Sequence, residues 1–467
     1  MAVPRPQLQL NERRSLLRLG DITAVIAAVL IALRIWSWRG ERAFTAEFIL
    51  TQFAWFPLFI GFWLLLASAN DFYNLRMVAN RAAAFRRLLV ITSQMILIYL
   101  IIFYFSDRDS LPRLFTLYYG VSSFVLISLW RTIYPTLAGW ASEPRRVLIV
   151  GTGWAADVII TAIDQEAHNE YRVVGVIGNE AEVGTVIDDV PVIGTGGDLM
   201  NFVLRDRVSE LVVTSMGELT GATFQAVMDA YTAGINISPM PILYERITGR
   251  VPVEHVDNQW AVVLPLDENG FFRPYSLVKR LLDMVLSLIG MIVLSPVMLV
   301  TALVIMLEDG WPVFYSQQRV GLNGHVFAIY KFRSMCKDAE QDTGPVFAVA
   351  DDPRVTRFGR LMRRTRLDEL PQLVNVLHGE MSLVGPRPER PEHVERLMTT
   401  IPFYRTRLVI RPGLTGWAQV CYDYGSDDKD AMVKLQYDLY YIRHKSLLLD
   451  LNILLRTVGK VLRMSGV

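Results

Sequence analysis

Two adjacent carboxylates, Asp368 and Glu369, follow three arginines that lie within residues 363–366. Pro371 is tolerated in the first turn of a helix, so Asp368 is expected to cap a helix that ends near residue 377. The positive end of that helix and the arginines would lower the pKa of Asp368 and keep it ionised. An ionised aspartate among many cations could attack the phosphorus of a diphosphate, although a plain helix cap is the alternative.

Several basic residues could hold the same anion. Lys331 and Arg333 follow a short strand-like run at residues 326–330, and Arg387 lies in a Gly-Pro-Arg-Pro turn whose prolines fix its direction. Arg411 opens a second glycine-rich turn, which could line the same pocket or serve only as a turn. Guanidinium groups suit bidentate contacts with phosphate. The candidate phosphate-binding residues are therefore Lys331, Arg333, Arg363, Arg364, Arg387 and Arg411.

The composition places these residues in a membrane protein with a substantial water-exposed part. The chain has 467 residues, of which 52% are apolar and 20% are charged, and this length predicts two to four domains. The net charge of +1 makes nucleic acid an unexpected partner, so that local clusters must bind anions. The two cysteines, Cys336 and Cys421, form no CxxC pair, which argues against a disulfide framework or a zinc site.

The first third of the chain contains four apolar segments, at residues 21–38, 47–69, 88–105 and 114–134, each about long enough to cross a bilayer. Arginines are concentrated before the first segment, between the second and third, and after the fourth. The positive-inside rule then places the N-terminus and the chain beyond the fourth segment in the cytoplasm. Residues 1–140 are thus predicted to form a four-helix transmembrane domain.

Residues 145–262 have the pattern of a Rossmann-like α/β domain, in which short apolar strands alternate with helices. The first predicted strand ends at Val150 and is followed by Gly151, Gly153 and Ala156 in a G-x-G-x-x-A turn. Such a turn can hold a pyrophosphate at the start of a helix, with Glu180 as a candidate ribose ligand. The pattern leaves open whether this domain binds a nucleotide or serves assembly or regulation without one.

Residues 263–276 are predicted to form a linker, and a second apolar block follows at residues 279–307. The block is long enough to cross the membrane, but Ser295 and Pro296 lie in its middle, where proline bends a helix. A crossing would put residues 308–467 outside, whereas a re-entrant helix broken at these two residues would keep them in the cytoplasm. The tail from residue 430 mixes apolar and basic residues, which predicts either helices on the membrane surface or a packed helix pair.

Seven sequence pieces between residue 279 and the C-terminus occur in the order that is typical of one family. They are KRLLD, the Ser295-Pro296 break, KFRSM, DPRVTRFGR, RRTRLDELPQL, MSLVGPRPE and RPGLTGWAQV. This region resembles the bacterial sugar transferase family, the monotopic polyprenyl-phosphate hexose-1-phosphate transferases. The four apolar segments and the Rossmann-like, CoA-binding-like domain resemble the large subclass of that family. The resemblance implies a mixed α/β monotopic catalytic domain at 277–467, with a re-entrant helix at 279–307 and C-terminal interfacial helices.

The resemblance also implies an activity, namely transfer of hexose-1-phosphate from a UDP-sugar to undecaprenyl phosphate with release of UMP. Asp368 would be the nucleophile that forms an aspartyl phosphosugar in a ping-pong mechanism, and Glu369 would help to place Mg²⁺ or handle protons. Lys331, Arg333, Arg363 and Arg387 would hold the phosphates or the uridine. The enzyme would lie in the bacterial inner membrane with its soluble domains facing the cytoplasm. The resemblance leaves open the sugar, the polysaccharide made and the oligomeric state, a homodimer being one option.

Two other functions compete with this interpretation. A membrane-anchored NAD-dependent nucleotide-sugar oxidoreductase or dehydratase would use the turn at 151–156, but it leaves the arginine cluster unexplained, and no fitting Tyr-x-x-x-Lys follows. A non-enzymatic assembly protein would fit the first 260 residues but gives the DELPQL region no role. Substitution of Asp368 separates both alternatives from the transferase.

Overall fold

The computed structural model describes residues 10–40, 43–70, 72–73, 81–105, 113–137, 144–215, 219, 221–253, 274–337, 352, 354–422 and 428–462. These residues form two compact units, Met1–Met240 and Pro241–Val467. The first unit contains an all-helical part and an α/β part, and the second contains Asp368, Glu369 and the six candidate phosphate-binding residues.

All four apolar segments near the N-terminus are helical. The helices are α1 (Leu10–Arg39), α2 (Ala46–Thr51), α3 (Trp55–Ala69), α4 (Arg81–Phe105) and α5 (Arg113–Leu137). Stretches of α1, α4 and α5 are long and apolar enough to cross a membrane. The second predicted segment is divided between α2 and α3, and the 15 residues of α3 extend only about 22 Å.

The four long helices pack in a ring, because α3 and α5 each contact both α1 and α4. Trp63, Phe59 and Tyr119 are almost completely buried in the core of this bundle. The buried side chains of Asp21 in α1 and Arg131 in α5 form an ion pair of 2.7 Å. Charges this deep in an apolar bundle are costly unless they are paired, so the pair fixes α1 against α5.

The α/β part is built on one six-stranded sheet. Its elements are β1 (Arg145–Val150), α6 (Trp154–Ala167), β2 (Tyr171–Ile177), β3 (Val186–Ile187), β4 (Val190–Gly194), α7 (Leu199–Arg205), β5 (Glu210–Val213), α8 (Gly221–Thr232) and β6 (Asn236–Pro239). The strand order is β3-β4-β2-β1-β5-β6, and all neighbours are parallel except β3 and β4. Without the edge strand β3, this is the strand order of a doubly wound dinucleotide-binding sheet.

The second unit begins within helix α9 (Met240–Thr248) and continues with the long helix α10 (Pro274–Asp309). An antiparallel hairpin follows, formed by β7 (Phe314–Val320) and β8 (Val326–Phe332). Next come α11 (Arg357–Thr365), a 3₁₀ helix (Leu367–Gln372), α12 (Leu373–His378), β9 (Ser382–Val384) and α13 (Pro391–Thr400). The chain ends with a 3₁₀ helix (Tyr404–Val409), β10 (Gly413–Thr415), α14 (Trp417–Cys421), α15 (Asp428–His444) and α16 (Leu447–Leu462). Strands β9 and β10 pair in parallel.

Helix α10 is a single helical segment that continues through Pro296. Ser295 donates a hydrogen bond from its hydroxyl to the carbonyl of Ile292, at 2.7 Å. The helix is long and apolar enough to cross a membrane, and it leaves large apolar side chains such as Val293 and Leu299 exposed. Because it contains 36 residues, it would extend about 54 Å if it were straight.

Residues 241–253 pack on the second unit, although the sequence analysis assigned them to the Rossmann-like domain. Trp417 donates its indole N–H to the carbonyl of Gly249 at 3.0 Å, and the N–H of Val251 donates to the carbonyl of Gln436 at 3.2 Å. The carboxylate of Glu245 lies 2.6 Å from a guanidinium nitrogen of Arg443. The predicted boundary at 262 and most of the predicted linker lie outside the described residues.

The two C-terminal helices differ in how they are covered. Helix α15 is packed into the unit, with Leu435, Leu439 and Ile442 buried. Helix α16 leaves Leu448 and Val458 exposed, so its contact with a membrane surface stays a prediction. Several basic side chains of the described part of the tail make protein contacts; Lys460, for example, donates to the carbonyl of Gln419.

Candidate active site

The adjacent carboxylates lie in the short 3₁₀ helix Leu367–Gln372. Arg366 has a left-handed φ of 59° and turns the chain sharply at the end of α11. Leu367 and Leu370 then pack into an apolar cluster that includes Ile305 and other residues of α10. Asp368 and Glu369, which lie between these two leucines, are buried as well. The prediction that Asp368 caps an α-helix was therefore wrong: the turn begins at Leu367, and α12 starts only at residue 373.

Glu369 is surrounded by cations. One of its carboxylate oxygens lies 3.1 Å from Nζ of Lys331 and 2.9 Å from Nη2 of Arg387. Its other oxygen lies 3.6 Å from Nη1 of Arg366. Burial by itself raises the pKa of Glu369, but the charges of Arg387, Lys331 and Arg366 have the larger combined effect and hold it well below its usual range. Glu369 is therefore ionised, and it fixes the positions of the cations around it.

The surroundings of Asp368 have the opposite net effect, because they raise its pKa. Burial and the neighbouring charge of Glu369 raise its pKa to about 6, while Lys331, Arg363 and Arg366 only partly compensate. The prediction of a lowered pKa for Asp368 was thus wrong, since the arginines act mainly on Glu369. One carboxylate oxygen of Asp368, Oδ1, is buried and has no hydrogen-bond partner within the part of the chain that the structure describes. This oxygen is free to react or to accept a ligand.

Asn375 positions Lys331, and the sequence analysis missed it. Its side-chain oxygen accepts a hydrogen bond from the N–H of Tyr330 at 3.2 Å. Its amide nitrogen donates to the carbonyl of Ala328 and to Glu380, both at 2.7 Å. Because Asn375 is completely buried, these bonds fasten α12 to the strand that carries Lys331. Its place in the helix after DELPQL was the only sequence signal.

Arg407 supports the turn that carries Arg387, and it too was missed. Its guanidinium donates to the backbone carbonyl of Arg387 at 2.9 Å and to the hydroxyl of Tyr404 at 2.6 Å. It also lies 2.9 Å from the buried carboxylate of Asp438 in α15. The neighbouring sequence contains other arginines, so nothing in the pattern separated Arg407 from exposed positions. Its burial fixes the backbone of the turn and therefore the direction of Arg387.

The remaining predicted phosphate-binding residues lie at different places. Nε of Arg363 donates to the hydroxyl of Ser334 at 3.0 Å, and its charge also acts on Asp368. Arg364 is exposed on α11. Arg333 donates to the carbonyls of Asp309 and Gly310, both at 2.8 Å, and so binds the end of α10. The exposed Arg411 donates to the carbonyl of Gly379 at 2.9 Å. Of the six candidates, Lys331 and Arg387 directly contact the carboxylate pair, and the phosphate role of each stays a prediction.

The start of α10 is fastened to the same unit by three charged residues. Lys279 lies 3.0 Å from the carboxylate of Asp450, and Arg280 donates to the carbonyls of Val376 and Leu377. The carboxylate of Asp283 accepts hydrogen bonds from the hydroxyl of Ser382 at 2.7 Å and the N–H of Leu383 at 3.1 Å. These contacts explain the charges of the KRLLD sequence, because they hold the long helix against β9 and α12.

The carboxylate pair suits a divalent cation that is shared with a substrate. Among the described residues, no group of three or more acidic, cysteine or histidine side chains is gathered around one point. Mg²⁺ prefers one or two carboxylates together with phosphate oxygens and water. The unpartnered oxygen of Asp368 is an available carboxylate ligand, whereas one oxygen of Glu369 already contacts two cations. The donor set therefore fits Mg²⁺ only when a phosphate supplies further ligands.

Comparison with known proteins gives a match to the family described as bacterial sugar transferase over residues 274–464. The UDP-glucose:undecaprenyl-phosphate glucose-1-phosphate transferase of Escherichia coli (strain K12) is 31% identical over 366 residues, which cover 76% of both chains. The chain belongs to the bacterial sugar transferase family. Every residue of the carboxylate and cation cluster in this sugar transferase lies within the matched region.

Two further relatives differ in the sugar that their names contain. The undecaprenyl-phosphate galactose phosphotransferase of Salmonella typhimurium is 30% identical over 348 residues, which cover 69% of both chains. The UDP-N-acetylgalactosamine-undecaprenyl-phosphate N-acetylgalactosaminephosphotransferase of Aeromonas hydrophila is 45% identical over 219 residues, 47% of this sugar transferase and 50% of that protein. The family is thus established, while the relatives' names cover several sugars.

Residues 68–216 of the sugar transferase match a family described as CoA-binding domain, and they include the glycine turn. Gly151 has a φ of 104°, and a Cβ atom there would lie 2.0 Å from the hydroxyl of Thr214, so the turn requires glycine. Gly153 precedes α6, and Ala156 is buried. The carboxylate of Glu182 accepts a hydrogen bond from the hydroxyl of Thr152 at 2.7 Å. Its negative charge would oppose a pyrophosphate at this turn, and nucleotide binding there stays a prediction.

Proposed function

We propose that this sugar transferase moves hexose-1-phosphate from a UDP-sugar to undecaprenyl phosphate and releases UMP, as the first step in assembling a polysaccharide repeat unit. The observation that carries the proposal is the buried Asp368, which has an unpartnered carboxylate oxygen beside a cluster of cations. The names of the relatives support undecaprenyl phosphate as the acceptor and a sugar phosphate as the transferred group.

In the proposed ping-pong reaction, Asp368 acts twice at the same phosphorus. Its carboxylate oxygen attacks the β-phosphorus of the UDP-sugar, and the bond to the bridging oxygen breaks, so that UMP leaves with the bonding electrons. A phosphate oxygen of undecaprenyl phosphate then attacks the aspartyl phosphosugar, and Asp368 leaves as a carboxylate. The products are UMP and the diphosphate-linked lipid sugar. A covalent intermediate allows a soluble donor and a lipid acceptor to use one site in turn.

The cations in the site have a clear task in this reaction, because phosphoryl transfer depends mainly on positioning and charge neutralisation. Lys331 and Arg387 are held by Glu369 and can contact the phosphate oxygens of the donor, and Arg363 lies near enough to act on the charge of Asp368. Asp368 and Glu369 would hold Mg²⁺ together with the donor diphosphate. When bound, Mg²⁺ would neutralise charge on the phosphate oxygens.

The acceptor's phosphate lies at the membrane surface, so the site must be held near that plane. We infer that α10 is re-entrant at Ser295-Pro296 and does not cross the bilayer. Tyr275 and Lys279 at its start, and Glu308 and Asp309 at its end, all contact the same compact unit. This is difficult to reconcile with ends on opposite sides of a membrane. The proposal places the enzyme in the bacterial inner membrane with the second unit in the cytoplasm; a homodimer stays a prediction.

Substitution of Asp368 by asparagine tests the proposed nucleophile. The variant is expected to lose UMP release by at least about 10³-fold, because a neutral amide oxygen is a poor nucleophile. The assay uses the purified full-length protein with Mg²⁺, undecaprenyl phosphate and a panel of UDP-glucose, UDP-galactose and their 2-acetamido analogues, which also identifies the sugar. Mass spectrometry of the protein incubated with donor alone should detect a hexose-phosphate adduct on the peptide that contains Asp368.

The matched control is Glu395→Gln, which changes an exposed acid on α13 of the same unit and should retain full turnover. Full turnover by the Asp368→Asn variant would refute the assignment of the nucleophile. Turnover without any adduct on that peptide would refute the covalent intermediate and leave direct transfer between the two substrates.

A further inference from the structure

An open apolar groove lies beside the end of α10. It has a volume of about 500 Å³ and is lined by Val304, Leu307, Glu308, Arg357, Phe358 and Leu361. One wall therefore comes from the last turns of the apolar helix, and the other from the first turns of the arginine-rich helix α11. Leu307 is 84% exposed and Leu361 is 46% exposed, although both are large apolar side chains.

The two walls of the groove are fastened together. The carboxylate of Glu308 accepts a hydrogen bond from the backbone N–H of Phe358 at 3.2 Å, at the start of α11. Phe358 also packs on the cluster that contains the buried Ile305 and Met362. The groove is thus a fixed feature of the unit, and its exposed leucines are a consequence of the fold rather than of loose packing.

Helix α11 connects the groove to the active site, because its last turn is followed by Arg366 and then by Asp368. Arg357, Leu361 and Arg364 follow one another at four- and three-residue spacing and therefore lie on the same face. No acidic side chain within the described ranges pairs with Arg357, Arg360 or Arg364, all of which are exposed. Helix α11 covers about 13 Å before Arg366 turns the chain into Asp368. Along the chain, the apolar groove is thus followed by the exposed Arg364 and then by the nucleophile.

We propose that this groove binds the isoprenoid chain of the acceptor, at the end next to its phosphate, while Arg357 and Arg364 guide the phosphate toward Asp368. The occupant is argued from charge and polarity: the site needs a ligand with one anionic group and an apolar chain, and the groove opens from a helix whose apolar side chains are exposed. The inference rests on the proposed function, because it assigns the position of that reaction's lipid substrate.

Filling the groove tests the proposal. Val304→Phe places a larger side chain in the groove, whereas Val300→Phe makes the same change one turn earlier, at a 58% exposed position outside the lining. The Val304→Phe variant is expected to lose about tenfold or more in kcat/KM for undecaprenyl phosphate, since that ligand loses apolar contact area. The Val300→Phe variant should behave like the wild type. A short acceptor without an isoprenoid chain, ethyl phosphate, should be used equally well by both variants.

The donor half-reaction separates the failure of this proposal from the failure of the proposed function. Release of UMP by protein given donor and Mg²⁺ alone tests the nucleophile and is expected to persist in both variants. If the wild type forms no adduct, the proposed function is wrong. If the adduct forms but Val304→Phe keeps the wild-type kcat/KM for the long acceptor, the groove is not its binding site. Equal losses in both phenylalanine variants would likewise overturn it, by pointing to general bilayer contact.

A second variant keeps the test decisive if phenylalanine at 304 prevents folding. Leu361→Gln changes the polarity of the opposite wall at a half-exposed position, so the folded state should tolerate it. It is expected to weaken the use of the long acceptor about tenfold and to leave the use of the short acceptor unchanged. If the ratio of kcat/KM for the long and the short acceptor equals that of the wild type, the groove assignment is refuted, whatever the result at position 304.

Discussion

Asp368 and Glu369 are adjacent in the chain but experience opposite electrostatic surroundings. Three cations surround Glu369 and keep it ionised, whereas Asp368 has an unpartnered oxygen and a pKa raised to about 6 by burial and by Glu369. The charge of Glu369 thus has two effects: it orders Lys331 and Arg387, and it makes an ionised Asp368 energetically unfavourable. A carboxylate with a raised pKa is a stronger base, and it is therefore a better nucleophile once it is ionised.

This asymmetry predicts opposite effects on stability from two isosteric substitutions. The folded-state pKa of Asp368 lies above its unfolded value of 3.8, so its ionisation costs stability above pH 6. The difference between a pKa of 3.8 and one of about 6 corresponds to about 3 kcal/mol. Asp368→Asn should therefore raise the melting temperature at pH 8, measured without Mg²⁺ or donor, and the gain should disappear near pH 4.

Glu369→Gln serves as the contrasting variant at the neighbouring position. The folded-state pKa of Glu369 lies below its unfolded value, so its charge stabilises the fold above pH 4.5, and this stabilisation is lost as the pH falls. The glutamine variant should melt at a lower temperature than the wild type at pH 8. Shifts of the same sign in both variants would show that the two carboxylates share one environment, contrary to the structure.

The sequence could predict which residue types gather at the site, but it could not predict their individual partners. Asp368, Glu369, Lys331 and Arg387 were all anticipated, because each lies in a short motif whose chemistry is recognisable. Arg333, two residues beyond Lys331, instead binds the end of α10. Residues two apart in a strand point to the same face, but β8 ends at Phe332, so this rule does not extend to residue 333. Asn375 and Arg407 act through burial, which no local pattern reveals.

At the scale of elements, the long helix α10 is a structural part of the second unit, Pro241–Val467, which is the catalytic unit because it contains the candidate active site. Leu367 and Leu370, which flank the carboxylate pair, pack on the second half of α10, and its start is fastened to β9 through Asp283. Strand β9 leads directly into the turn that carries Arg387. The apolar helix and the phosphate-binding turn are therefore joined by a buried polar contact, so that membrane association and the geometry of the site depend on the same side chain.

Substitution of Asp283 should uncouple these elements. Asp283→Ala leaves the buried N–H of Leu383 and the hydroxyl of Ser382 without their carboxylate acceptor, which should cost about 3 kcal/mol of unfolding free energy. The melting temperature and the donor half-reaction should both fall, because β9 positions Arg387. Glu395→Ala, at an exposed position on α13, is the control and should change neither. An Asp283→Ala variant with wild-type stability would show that α10 is held by apolar packing alone.

Element boundaries were less predictable than element types. The four apolar segments and the first strands followed directly from hydrophobic patterns, but the 3₁₀ turn at Asp368 did not. Its geometry depends on the left-handed conformation of Arg366 and on the packing of Leu367 and Leu370 against α10. Both are tertiary effects, and a proline three residues after an aspartate fits a helix start equally well. For the tail helix α15 the sequence left a surface helix and a packed helix open, and the structure shows the packed alternative, with Leu435, Leu439 and Ile442 buried.

At the scale of the whole molecule, the second unit begins well before the region that matches the family. Residues 241–253 come after the last strand of the sheet, yet Val251 and Val253 are buried in a cluster with Leu435 and Leu439 of α15. The resemblance to a known family covers residues 274–464, so this segment lies outside the matched region. Its contacts nevertheless belong to the catalytic unit, which indicates that the unit is larger than the family match.

Two fragments that start at different residues test whether residues 241–253 stabilise the catalytic unit. Fragments 241–467 and 274–467 contain the same site residues, but only the longer one retains the buried Val251 and Val253 and the ion pair between Glu245 and Arg443. The two valines alone should contribute about 3–6 kcal/mol of stability. In the same detergent, fragment 241–467 should therefore melt at a clearly higher temperature and retain more of the donor half-reaction. Equal melting temperatures would mean that residues 241–253 contribute nothing to the catalytic unit, and a Val251→Asp substitution in the full-length chain should then be harmless as well.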